Sequence, residues 1–290
     1  MSKIELYVPA KTVKKYNEWI RDIRQNMYRP YLTVRQVNKV GRRHWIFCQK
    51  QRREVHLLSD GELRMYKILL WLLGCIKVME QFALDIDETL DIAVAANLIH
   101  PRNWQTSEAY VMTTDFVVQR YDVANPSNII TTAYTFKYFG QIYEVDEAGT
   151  LVDSWNEENL SENNVVRKNL RTWQKFAIEK EYWRRRGVEY RVVTERDATK
   201  EEFWNIVFCE SSQKLTFKQN EVSEFIMLFV KIWQENFNKT LSFIIKLVAV
   251  QMGANEAHTL SVFKYSVLHH ILPLKHSCCL QMFRPLELSL

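Results

Sequence analysis

The chain has 290 residues, 47% of them hydrophobic and 13% aromatic, and carries a formal net charge of +5. That is ample apolar material for a packed core and length for two domains, which excludes a disordered chain. The most apolar windows, 225–233 and 241–250, are short and interrupted by Lys231 and Lys246, so neither spans a bilayer and no membrane partner is expected.

Residues 1–30 read as a basic arm, helical or irregular, that ends at Pro30. Short strands follow at 43–49 and 53–58. The first sixty residues hold fourteen Lys or Arg against five Asp or Glu. Within them "GRRHWIFCQKQRR" at 41–53 interleaves cations with Trp45 and Phe47, a pattern that suits either a phosphate-tracking surface or a solvated basic face. At 59–74, Ser59 or Asp60 caps a helix whose Leu63, Tyr66, Leu70 and Leu73 share a buried stripe, and Gly74 stops it. Glu62 falls in the first turn, where a carboxylate supports the helix dipole.

In "YVMTTDFVVQRY" at 110–121, alternation puts Met112, Thr114, Phe116 and Val118 on a core face and Asp115 off it, with Val111, Thr113 and Val117. A second strand at 131–140 gives Tyr134, Phe136 and Tyr138 one face and Ala133, Thr135 and Lys137 the other. Pairing of the two brings Asp115 near Lys137, as a cross-strand salt bridge or as a functional pair. Residues 146–164 hold six acids and no Lys or Arg and read as an exposed loop or insertion. A helix at 165–187 has Leu170, Trp173, Ala177 and Ile178 at helical spacing and Gly187 as terminator, before a strand at 189–195. Helix, two strands, helix, strand is an α/β core with a mixed sheet.

From about residue 197 the pattern is helical, at 199–208, 219–236, 240–252 and 256–271, with Phe225, Met227, Leu228, Phe229, Ile232 and Trp233 assigned to core. The last segment has the outline of a small hairpin, and helices with a terminal hairpin outline a winged helix. The expected domains are 1–196 and 197–290. Cys48, Cys75, Cys209, Cys278 and Cys279 have no C-x-x-C spacing, which argues against a zinc site or disulfide framework and fits a reducing cytoplasm. The charged N-terminus lacks the apolar run of a secretory signal. Adjacent His269 and His270 point in different directions on a helix and read as surface or satisfied histidines. His100, before Pro101, turns the chain. The run Arg184, Arg185, Arg186 either contacts phosphate or ends a helix in solvent.

Glu62, Asp115 and Lys137 follow the order acid on a helix, acid on a strand, Lys on the next strand. Metal-dependent nucleases of the restriction-endonuclease type use that order. Phosphodiester hydrolysis is served by a hard divalent cation held on carboxylate oxygens, with a Lys to position or deprotonate the attacking water.

The neighbouring residues are more specific. "TVRQV" at 33–37, "VHLLSDGE" at 55–62, "EQFAL" at 80–84, "HP" at 100–101, "TTDF" at 113–116 and "EKEYW" at 179–183 resemble the TnsA family from about Pro30 to Glu195. Its members are endonuclease subunits of heteromeric, cut-and-paste bacterial transposases. The resemblance implies a restriction-endonuclease-like mixed-sheet catalytic domain with a winged-helix-like domain behind it, in the bacterial cytoplasm. It implies that Glu62 is the first catalytic acid, Asp115 the metal-bridging acid, Lys137 the catalytic lysine and Glu179 a further acid of the site. Thr135 stands where the family commonly has Gln, and the Phe136 carbonyl is the neighbouring candidate ligand. The implied cofactor is Mg²⁺, as two ions, with Mn²⁺ as substitute. The implied partners are double-stranded DNA at transposon ends, a DDE-type recombinase subunit that handles the 3′ strands, and an AAA+ ATPase regulator bound through the C-terminal domain. The alternative is an adaptor of the same fold that bridges DNA, recombinase and regulator without cutting.

Overall fold

A computed structural model of the chain describes residues 6–37, 41–144, 167–275 and 277–289. The acidic stretch expected as a loop at 146–164 lies outside them. The chain divides into two compact units, Met1–Tyr66 with Gly74–Asp197, and Lys67–Leu73 with Ala198–Leu290.

In the first unit the N-terminal stretch is no free arm. It forms helix α1 (Ala10–Arg24), whose Tyr16 and Trp19 enter a cluster with Tyr31 and Ala83. Apolar residues three and four apart give α1 one buried face, and Trp19 anchors it by donating from Nε1 to the Arg29 carbonyl at 2.8 Å. Strands β1 (His44–Cys48) and β2 (Arg53–Leu57) pair as an antiparallel hairpin. Its outer face exposes Trp45 and Phe47. Its inner side is tied down by Arg53, which forms a two-pronged pair with the fully buried Glu80 at 2.8 and 2.5 Å. Helix α2 (Asp60–Leu70) ends four residues before the expected stop. Leu73 is therefore exposed, and the buried positions are Met65, Tyr66, Ile68, Leu69 and Leu70.

The main sheet has the order β3-β4-β5-β6. It is built from β3 (Cys75–Ala83), β4 (Thr113–Tyr121), β5 (Ile129–Phe136) and β6 (Glu189–Val193). The first three pair antiparallel and β5 with β6 parallel, so the sheet is mixed. Helix α3 (Ile86–Ala95) follows β3, capped by Asp85 accepting from Glu88 N at 3.0 Å. Neither β3 nor α3 was expected from the sequence. A parallel pair needs a long crossover, and here it runs through α4 (Phe139–Ile142) and α5 (Leu170–Arg184). The buried residues of α5 are Phe176, Ile178, Glu179, Tyr182 and Trp183, whereas Leu170 and Ala177 of the expected stripe are exposed. The Arg run at its end is engaged within the chain: Arg184 and Arg185 with Glu181, and Arg186 with Glu88.

The second unit is helical, with α6 (Lys200–Cys209), α7 (Gln219–Glu235), α8 (Leu241–Met252) and α9 (Glu256–Leu268). Thr199, Thr240 and Asn255 cap three of them by accepting from the N–H three residues on, and Gly253 ends α8 at φ +63°. Phe225, Phe229, Ile244, Val248 and Phe263 fill the core, but Met227 is exposed. The expected terminal hairpin is reduced, among the described residues, to an antiparallel bridge between Leu274 and Leu288. His270 is satisfied by the Trp71 carbonyl and His269 packs edge-on to the Trp71 ring. Among the described residues no helix is long and apolar enough to cross a membrane.

Candidate active site

Four strand ends and two helices bring the site residues together where β3, β5 and β6 finish and β4 begins. Glu62 enters from the first turn of α2. Ser59 caps that helix by accepting from Glu62 N at 3.0 Å, and Glu62 Oε2 reaches back to Leu58 N at 2.9 Å, a variant of the reciprocal cap of S-x-x-E sequences. The helix can come this close to β5 because residue 61 is Gly: a Cβ there would lie 2.0 Å from the Phe136 ring. Glu62 is thus a capping residue and a site residue at once.

Asp115 lies in β4 and is only 5% exposed. Alternation placed it off the core, and that is corrected: Val117, on the same alternate positions, is packed with Ala133, Ile178 and Trp183, so both faces of β4 are covered. Asp115 also makes no ion pair with Lys137 among the described residues. Its Oδ2 instead accepts the backbone N–H of Phe136 at 2.8 Å. The β4–β5 ladder stops one pair earlier, at Phe116 and Tyr134, so the carboxylate takes over from the ladder at that point.

Opposite Asp115 in β3 stands Gln81, at φ +50° although it is not Gly. That conformation is costly for an extended strand. It aims a fully buried carboxamide into the site: Nε2 donates to Glu62 Oε2 at 3.2 Å, and Oε1 accepts from Thr113 Oγ1 at 3.1 Å. Simple alternation fails beside it. Thr114 was expected on the face of Phe116, but it donates to Glu179 on α5 and accepts from Trp183 Nε1.

Glu179 is fully buried, and its Oε2 accepts from Thr135 at 2.6 Å and from Thr114 at 3.0 Å. The hydroxyl proton of Thr135 is therefore committed to Glu179. The other oxygen, Oε1, has no hydrogen-bond partner, and Lys175 Nζ stands 3.4 Å from it. Lys137 is half-buried and its backbone N donates to the Val193 carbonyl at 3.0 Å, which fixes the chain just beyond β5.

Burial, together with the negative charge of Asp115, pushes the Glu62 carboxyl up to about 8, against the opposing pull of Leu58 N–H and Lys137. Burial likewise raises Glu179, with Lys175 and the Thr135 hydroxyl opposing it. For Lys175, burial favours the neutral amine, but Glu179, Asp115 and Glu62 more than offset it and the net shift is upward. The site is a buried cluster of carboxylates that repel one another, with two lysines at its edge.

Sequence reading had named Glu62, Asp115, Thr135, Phe136, Lys137 and Glu179. It missed Gln81, Thr114 and Lys175. Lys175 was within reach, because a Lys four residues before a Glu on a helix predicts the pair; Gln81 carried no signal beyond its place in "EQFAL".

The donors at this site are oxygens, the ligands a hard divalent cation takes. Among the described residues no group of three His, Cys, Asp or Glu forms a metal cage. Mg²⁺ is held by one or two carboxylates plus waters, and the buried Glu62 carboxyl, raised by burial and by Asp115, marks where a compensating cation would sit. The residues present fit such an ion.

A mixed sheet that gathers buried acids and lysines at one end defines a candidate phosphoryl-transfer fold. Comparison with known proteins gives a likeness over part of the chain. Residues 75–195 match the family described as TnsA-like endonuclease N terminal, so that stretch of the chain is similar to TnsA-like endonucleases. It is also 30% identical over 170 residues to the transposon Tn7 transposition protein TnsA of Escherichia coli, covering 59% of this chain and 51% of that protein. The chain thus spans about half the length of the curated relative it matches. The family match contains Asp115, Thr135, Phe136, Lys137 and Glu179, while Glu62 precedes it.

Proposed function

We propose that this chain is a Mg²⁺-dependent DNA endonuclease subunit that hydrolyses the 5′ strand at transposon ends during cut-and-paste transposition. The observation that carries this reading is the buried Glu62–Asp115 pair beside two lysines, in which burial first and the Asp115 charge second push Glu62 up to about 8. Glu62 and Asp115, with Thr135 and the Phe136 carbonyl, are the groups we assign to the ion, or to two ions; Mn²⁺ has the same preference for oxygen. Bound there, a divalent cation supplies neutralisation of charge on the attacking and leaving oxygens of the phosphodiester. Lys137, whose backbone is fixed to β6, is assigned to orient the attacking water or accept its proton. Glu179 orients Thr135 and Thr114 and holds Lys175 at the edge of the site.

In this reading residues 1–196 form a restriction-endonuclease-like catalytic domain, and residues 197–290 a winged-helix-like domain that receives an AAA+ ATPase regulator. A DDE-type recombinase subunit handles the 3′ strands, and the complex works in the bacterial cytoplasm. The relative's printed name, a Tn7 transposition protein, supports transposon-end DNA as substrate.

The test is to incubate the chain, its recombinase subunit and its regulator with transposon-end DNA and Mg²⁺ and to map breaks on both strands. Loss of the 5′-strand breaks alone in Asp115→Ala supports the reading. Identical breaks with both proteins sink it in favour of a non-cutting adaptor, a second reading that the commitment of the Thr135 hydroxyl to Glu179 keeps in view.

A further inference from the structure

Beside the carboxylates lies a cavity of about 240 Å³ whose lining includes Arg102, Trp104, Tyr110, Arg171, Thr172 and Lys175. Three of these are cations, and no Asp or Glu lines the cavity. The guanidiniums of Arg102 and Arg171 sit 4.2 and 4.3 Å from the centre of the Trp104 ring. Stacking on an indole face attracts a guanidinium and fixes its plane while leaving its N–H groups available. Among the described residues, neither guanidinium has a salt-bridge or hydrogen-bond partner. Arg53, Arg184, Arg185 and Arg186 behave otherwise, each paired with a glutamate.

Lys175 belongs both to this cavity and to the candidate active site, since its Nζ is 3.4 Å from Glu179 Oε1. Like charges gathered in a concavity raise the local concentration of anions. The volume is below the roughly 300–1,000 Å³ of sites that enclose a small organic ligand. It suits a group carried past on a chain.

We infer that Arg102 and Arg171, held against Trp104, bind a backbone phosphate of the DNA strand being cut, next to the phosphodiester at the carboxylates. The inference rests on the nuclease reading for the identity of that strand, and assigns it a second contact point. Lys175 then stands between two successive phosphates, facing the cavity and the acids at once. Such contacts place the strand and carry no base sequence.

The test is the binding of a fluorescently labelled duplex of arbitrary sequence, followed by anisotropy over a range of salt, with Ca²⁺ in place of Mg²⁺ to prevent cutting. The full chain is compared with Arg102→Ala/Arg171→Ala and with Arg21→Ala/Arg24→Ala, which removes two exposed cations from α1. Each phosphate contact contributes about −0.9 to the slope of log K against log salt. The cavity variant is expected to lose about one unit of slope and roughly ten-fold in affinity at moderate salt, while the α1 variant stays close to the unsubstituted chain. Equal slopes for all three proteins, or equal losses in both variants, overturn the inference. If the double variant melts early, Arg171→Gln alone, at an exposed position, is read instead, with a loss of roughly half a unit of slope expected. Cleavage is scored separately in Mg²⁺ on transposon-end DNA, with the recombinase subunit and the regulator present. A chain that never cuts but whose binding depends on Arg102 and Arg171 loses the nuclease reading and keeps the phosphate site; one that cuts while indifferent to both arginines loses only the phosphate site.

Discussion

Gln81 holds Glu62 by a single hydrogen bond, Nε2 to Oε2 at 3.2 Å, from a backbone at φ +50° in the middle of a strand. The contact joins β3 to the first turn of α2 and leaves the carboxylate little freedom. Two substitutions separate the side chain from the strain. Gln81→Gly keeps the left-handed backbone and removes the carboxamide, so its stability should change by no more than about 1 kcal/mol while cleavage falls by roughly ten-fold. Gln81→Val puts a β-branched residue at positive φ and should cost about 1–3 kcal/mol, despite the preference of Val for strands. Urea melts and initial cleavage rates of both variants check the pair of outcomes; a more stable Val variant would contradict the strained geometry.

Glu62 gives a prediction in pH. Its folded pKa, near 8, lies above the ordinary 4.5, so the folded chain prefers the protonated form. Its contribution is fully favourable below about pH 4.5 and is lost as pH rises through 8. Without metal, the unsubstituted chain should lose stability across that window faster than Glu62→Gln, which keeps an acceptor for Leu58 N–H but carries no charge. Melting temperatures of both proteins in EDTA should converge near pH 5 and separate toward pH 8, with the Gln variant higher. Parallel curves would remove the raised pKa from the account.

Metal binding should reverse the same penalty. An ion at Glu62 and Asp115 must displace the Glu62 proton, so the stabilisation by millimolar Mg²⁺ should grow from pH 6 to pH 8.5. A concentration of a hundred times the dissociation constant adds about 2.7 kcal/mol. Asp115→Asn retains an oxygen for the Phe136 N–H and should fold, but show little or no gain. Thermal shifts against Mg²⁺ and Mn²⁺ decide it, and an undiminished gain in Asp115→Asn would place the ion elsewhere.

Gly61 is the tightest steric point at the site. The Cβ of Gly61→Ala would stand 2.0 Å from the Phe136 ring, and that ring is itself buried. Overpacking of this kind costs about 1–3 kcal/mol. Phe136→Leu in the same chain should recover part of the loss, which a double-mutant cycle in denaturant would measure.

What the sequence made legible was mostly local. The hairpin at 44–57, the cap at Ser59, and the four helices after residue 199 follow from turn residues, capping side chains and apolar spacing, and all stand within a few residues of where the pattern put them. Strand β3 escaped because Lys77 and Glu80 interrupt its apolar run, and Glu80 is inside only because Arg53 reaches it from another strand. The face of α5 was misread for the same reason: a carboxylate at 179 looks like solvent until Thr114 and Thr135 arrive to meet it. At the site, acids and lysine could be named from their order and from the family likeness. Their geometry could not, since it depends on one left-handed residue, Gln81, that no propensity favours.

The parallel pairing of β5 with β6 also sets an order of events. Asp115, Thr135 and Lys137 are made well before Glu179, and the Val193 carbonyl that fixes Lys137 comes later still. A chain emerging from the ribosome therefore holds its acids and its lysine for tens of residues without the crossover helix that orients them. Long-range closure of this sort is slow compared with helix formation, and loop entropy grows only weakly with the length of the crossover. A nascent or truncated chain lacking β6 is left with the chemical groups but not their alignment, so the proposed cleavage has to wait for the last strand of the sheet.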